Sequence, residues 1–96
     1  MVKNKIVVCE YSKIVQNVIK SILGKIKEEI VFFDNAYDAL LFIQSNATSL
    51  LISSIYLEPF TGFHLAHLIK ADSKTEKIKV LLYYSEETKL KSFYAE

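Results

Sequence analysis

The chain has 96 residues, enough for one domain across residues 1–96 but with a modest core for its surface. Half of it (51%) is apolar and 24% is charged, the composition of a globular rather than a disordered protein. A net charge of +1 supplies no broad basic field, which argues against nucleic acid as a partner, and a single cysteine excludes an intrachain disulfide.

No apolar run approaches the roughly 20 residues that a membrane-spanning helix needs, and the first apolar stretch is too short for a signal peptide. With Cys9 set in an apolar run, these features point to a reduced, cytoplasmic setting and to no membrane partner.

Lys5-Ile6-Val7-Val8-Cys9-Glu10 is short, β-branched and continuously apolar, the pattern of an interior strand. Ser12 can cap the helix that follows. In it Ile14, Val15, Val18, Ile19, Ile22, Leu23 and Ile26 recur at helical spacing, leaving Lys13, Gln16, Lys20 and Lys25 outside. Gly24 falls in its last turns. Glu29 to Phe33 form a second strand, and Asp34 or Asn35 caps a second helix with Ala39, Leu40, Phe42 and Ile43 on its apolar side. Asn46 to Ser49 connect to a third strand, Leu50-Leu51-Ile52, which ends at Ser53 and Ser54. A loop through Glu58 and Pro59 leads to Gly62, which opens a third helix carrying Phe63, Leu65, Leu68 and Ile69 on one stripe. Residues 71–77 are polar and read as a loop. Ile78 to Tyr84 make a fourth strand, and Glu86 to Glu96 read as a helix behind a Ser85 cap. Alternating strands and helices predict βαβ units and a parallel sheet. Its working surface would lie at the carboxyl ends of the strands, where Ser53, Ser54 and their loop emerge.

A small polar residue at the tip of a central strand, with glycine eight positions later (Ser54 to Gly62), resembles the central segment of response-regulator receiver domains. The order of the remaining elements extends the resemblance from Lys5 to the end. Asp34-Asn35-Ala36-Tyr37-Asp38-Ala39-Leu40 is similar to the family's second-helix entry, and Ala71 to Lys74 followed by Ile78-Lys79-Val80 to its third-helix exit and fourth strand. The resemblance implies a three-layer α/β sandwich, flavodoxin-like, with strand order 2-1-3-4. The chain stops before the family's fifth strand and helix.

The family's reaction is phosphoryl transfer to an aspartate at the strand tip. Two acidic residues after the first strand hold Mg²⁺, a lysine pairs with the phosphoryl oxygens, and a Thr or Ser after the fourth strand senses the product. Carried over position by position, Glu10 and Tyr11 occupy the acidic pair, Ser54 replaces the nucleophile, Tyr84 stands at the switch position, and no lysine can be placed. The family's proline falls one place late, at Pro59, with Glu58 in its usual place. A neutral hydroxyl needs an activating base, and none adjoins Ser54 at suitable spacing. The expectation is therefore a degenerate phosphoacceptor pocket made of Glu10, Tyr11, Ser54 and Tyr84, with no catalytic residue, no metal and no cofactor.

Tyr11, Tyr56, Phe60 and Tyr84 fall at strand ends or in the loops beyond them. They suggest a polar-aromatic surface for a protein partner, or rings that only plug the space left by lost charges. His64 and His67 share a helix face without further ligands at usable spacing, and are read as surface polar residues. Without a fifth strand, Val80-Leu81-Leu82-Tyr83 would be an open edge. Val80 and Leu82 there invite either a homodimer through the fourth strand or, if the chain is a fragment, the rest of a longer regulator. The resulting expectation is a non-enzymatic, phosphorylation-independent interaction module in two-component-type signalling. The alternatives are a receiver phosphorylated at an unusual residue such as Ser54, a fragment or dimerisation module of a longer regulator and, least supported, a small-ligand pocket at the strand ends.

Overall fold

A computed structural model describes residues 4–86 and 89–95 of the chain, the final strand by its backbone. Strands and helices run β1 (Lys5–Cys9), α1 (Lys13–Ile22), β2 (Glu29–Phe33), α2 (Ala36–Ser45), β3 (Thr48–Ser54), α3 (Gly62–Ala71), β4 (Lys79–Glu86) and β5 (Lys89–Ala95). The first four strands pair in parallel in the order β2-β1-β3-β4, the expected three-layer α/β arrangement. Each helix starts where a hydroxyl or amide side chain accepts a free backbone N–H: Ser12 from Val15, Asn35 from Asp38, and Thr61 from His64. The third strand begins at Thr48 rather than Leu50, because Lys5 pairs back to Thr48 across a register irregularity in β1.

Strand alternation sorts the core into two layers. Val7, Cys9, Leu51, Val80 and Leu82 point toward α2 and α3, meeting Ala39, Ile43, Leu65 and Ile69. Ile6, Val8, Ile52 and Tyr83 point the other way, toward Ile19 of α1. Two helices therefore pack one face and a single helix the other.

That asymmetry corrects the reading of α1. Of its apolar residues only Ile19 is buried; Val15 and Leu23 are half-buried. Ile14 is 77% exposed, and Val18 and Ile22 also face solvent. Placed at 100° per residue, the apolar positions span about half the helix circumference, and one sheet face covers only part of so wide an arc. Phe63, expected on the buried stripe of α3, is likewise exposed.

The chain's end differs more. Residues 89–95 form a strand, not the helix expected over Glu86 to Glu96. This strand runs antiparallel to β4, with Val80 opposite Ala95 and Glu86 opposite Lys89. Leu90, Phe93 and Tyr94 satisfy a helical period, but β4 offered a row of unpaired N–H and C=O groups, and a strand returning onto that row pairs it and becomes the sheet's edge in its place. A fifth strand thus completes the order β2-β1-β3-β4-β5. The expected open edge at β4 is covered, Val80 and Leu82 are core residues, and a dimer paired through β4 has no free edge to use.

Candidate functional site

The carboxyl ends of β1, β3 and β4 meet at one end of the sheet. Glu10 directly follows β1 and is buried. Its backbone N–H donates to Phe33 O (2.8 Å), and its carbonyl accepts from Gln16 Nε2 (2.6 Å). Each oxygen of its carboxylate has a partner: Oε2 accepts from the Ser12 N–H (2.8 Å), and Oε1 accepts the phenolic O–H of Tyr83. Burial, the bond to Glu10 and the Glu10 charge all push the Tyr83 hydroxyl well above its ordinary range.

Ser54 pairs in register with Tyr83 and is 5% exposed. Its Oγ accepts the Tyr56 N–H (3.1 Å), while its carbonyl accepts from Ser53 Oγ (2.8 Å). The same carbonyl explains the glycine eight residues on. A Cβ on Gly62 would lie 2.2 Å from Ser54 O, so only glycine lets α3 start so close to the end of β3. The Ser54-to-Gly62 spacing is a packing requirement that persists without an aspartate.

Cys9 lies one residue before Glu10, fully buried, and its thiol donates to Asn35 O (3.2 Å). Burial first, then the charges of Glu10, Asp34 and Asp38, push its thiol up to about 12. It is an inert core thiol.

Of the residues singled out from sequence, Glu10 and Ser54 belong to this buried cluster. Tyr11 does not: it is 74% exposed and turns outward. Tyr83, not Tyr84, reaches Glu10, since alternation along β4 sends the two rings to opposite faces. Sequence reading missed Tyr83, although its parity with Leu81, on the face of Ile52 and Val8, was available. Phe60 is half-buried against the α2–α3 layer and stacks obliquely on His64 at 5.1 Å. Tyr56 is 66% exposed. Tyr11 and Tyr56 together border an open cavity of about 470 Å³, lined among the described residues also by Ile55, Leu57, Glu58 and Thr61.

The residues fit a divalent cation poorly. Mg²⁺ takes several oxygen ligands in near-octahedral geometry, whereas the position after β1 offers one carboxylate, already accepting a hydrogen bond on each oxygen, and the neighbouring positions carry a neutral phenol and a neutral hydroxyl. Among the described residues no group of three or more His, Cys, Asp or Glu side chains could hold a metal ion, and no helix is long and apolar enough to cross a membrane.

The sheet order and the position of this cluster define a receiver-like α/β fold. Solved structures carry the comparison. A response regulator receiver protein from Pseudomonas putida superposes with a TM-score of 0.75 at 16% identity, over 92% of this chain and 73% of the other. The signal receiver domain of a signal transduction histidine kinase from Syntrophus aciditrophicus gives 0.78 at 21% identity, over 88% and 64%. A chemotaxis response regulator of Vibrio cholerae gives 0.78 at 17% identity, over 90% and 72%. The chain thus spans between about half and three quarters of the length of such structures. No protein-family model and no curated protein matches the sequence.

Proposed function

We propose that this receiver-like domain acts in two-component-type signalling as a protein-interaction module that does not depend on phosphorylation and is not an enzyme. The observation that carries the reading is the internal closure of the former acceptor site. Glu10 is hydrogen-bonded to Ser12 and Tyr83, and Ser54 accepts the Tyr56 N–H, so the single carboxylate is tied into structural bonds and the strand tip offers a neutral hydroxyl. A serine hydroxyl without an activating base is in any case a poor nucleophile. Among the described residues, two large rings stay accessible at this end of the sheet, Tyr11 and Tyr56. Large rings with one wet end suit protein recognition.

Two measurements test this. Incubation of the chain with acetyl phosphate and Mg²⁺, followed by intact-mass spectrometry, is expected to leave the mass unchanged; a stable added phosphate mapping to Ser54 would overturn the reading. Capture of a partner from the native lysate is expected with the wild-type chain, and to be lost with the Tyr11→Ala/Tyr56→Ala double variant.

A further inference from the structure

We infer that the cavity between Tyr11 and Tyr56 receives a cationic side chain, the arginine or lysine of a basic segment in a protein partner. The inference deepens the interaction reading above and rests on it. Two large rings held mostly in water, 74% and 66% exposed, border one cavity with an apolar base from buried Leu57 and half-buried Ile55. Such an arrangement leaves aromatic faces uncovered that a flat, elongated side chain would cover. The sign of the charge decides which one. Among the described residues, the ionisable side chains at the cavity are the two phenols and Glu58, and no lysine lines it. Glu58 is tied to the start of α2 by the Ala36 N–H, which donates to its carbonyl (2.8 Å) and brings the loop beside the helix entry that carries Asp34 and Asp38. Those two carboxylates accept from Asn35 Nδ2 at 2.9 Å each.

An anion entering here would meet the Glu58 carboxylate, with no cation among the described lining residues to offset it. A purely apolar group would gain nothing from the Glu58 carboxylate at the rim. A guanidinium or ammonium satisfies both parts: its stem packs on the apolar base, and its head lies over the phenol faces within reach of the carboxylate. Arginine suits the site better than lysine, because its planar head stacks on rings and is weakly hydrated.

The test uses the full chain and an N-acetylated, C-amidated penta-arginine, with penta-citrulline as its neutral isostere, followed by NMR. Penta-arginine is expected to shift the amides of Tyr56, Glu58 and Thr61 and to show upfield ring-current shifts of its own methylenes. Its affinity should fall as salt rises, and penta-citrulline should do neither. Tyr56→Ala is expected to weaken binding about two- to fivefold, Tyr56→Phe to preserve it, and Glu58→Gln to weaken it. Equal effects from penta-citrulline, perturbations mapping elsewhere, or insensitivity to all three variants would overturn the inference. Lysate capture separates it from the broader reading. Loss of the partner with the Tyr11→Ala/Tyr56→Ala variant but full retention with Glu58→Gln would refute cation recognition and leave the interaction module standing; retention with both would remove the two together.

Discussion

Both carboxylate oxygens of Glu10 are bonded inside the fold, and the consequences can be measured. Tyr83→Phe removes the donor to Oε1 and leaves a buried carboxylate oxygen unpaired. It should destabilise the chain by about 1.5–3 kcal/mol, the range for hydrogen bonds to charged groups, in urea unfolding. The same cluster sets an alkaline limit. Cys9 and Tyr83 both titrate higher in the fold than in the unfolded chain, where their reference values are 9.0 and 10.0. Groups raised in this way contribute their full stability while protonated in both states, so it is complete below pH 9 and lost as the pH climbs: from 9 toward about 12 for Cys9, and from 10 upward for Tyr83. Unfolding free energy measured from pH 8 to 11 should fall, and Cys9→Ala should flatten the first part of the decline. At Gly62 the obstacle is steric: Gly62→Ala drives a methyl into the Ser54 carbonyl and should cost roughly 1–3 kcal/mol, read from the urea midpoint.

Among the elements, α1 is the most unevenly packed. Its neighbouring residues Ile19 and Ile22 are chemically identical, yet one is buried against the sheet and the other faces water. Ile19→Ala should therefore cost about 2–4 kcal/mol through lost contacts and a residual cavity, while Ile22→Ala should stay within about 0.5 kcal/mol. Equal losses in thermal or urea unfolding would mean that both sides of the helix are packed. The caps were legible in the sequence because capping is local: Ser12 and Asn35 act within three residues of themselves. The side of the helix that would be buried was not, since seven apolar positions offered more surface than one sheet face could cover.

For the whole molecule, the parallel order β2-β1-β3-β4 creates an edge that β5 closes in the antiparallel sense. Truncation after residue 86 should reopen the β4 edge. Light scattering is then expected to show concentration-dependent self-association beyond that of the full chain, because exposed strand edges pair with one another. Unchanged monodispersity would mean that β5 contributes nothing to shielding the sheet. The receiver-like scaffold stands apart from the polar residue at the strand tip for a physical reason: the core layer is built from residues such as Val7, Leu51, Leu65 and Ile69, which lie elsewhere in the fold.

What the amino-acid sequence determined alone is what rests on short-range chemistry. Continuous apolar runs set the first three strands, and hydroxyl and amide side chains set the helix starts; the interval from Ser54 to Gly62 carried the family resemblance, and its packing reason emerged only from the backbone. What only the tertiary structure decided depends on contacts between distant segments. The partnership of Glu10 with Tyr83, separated by 73 positions, follows from sheet register. The burial of Ile19 over Ile22 follows from how α1 lies on the sheet. Residues 89–95 carry a helical period, yet the unpaired backbone groups of β4 outweighed it, because hydrogen bonds left open along a strand are satisfied by another strand and not by a helix.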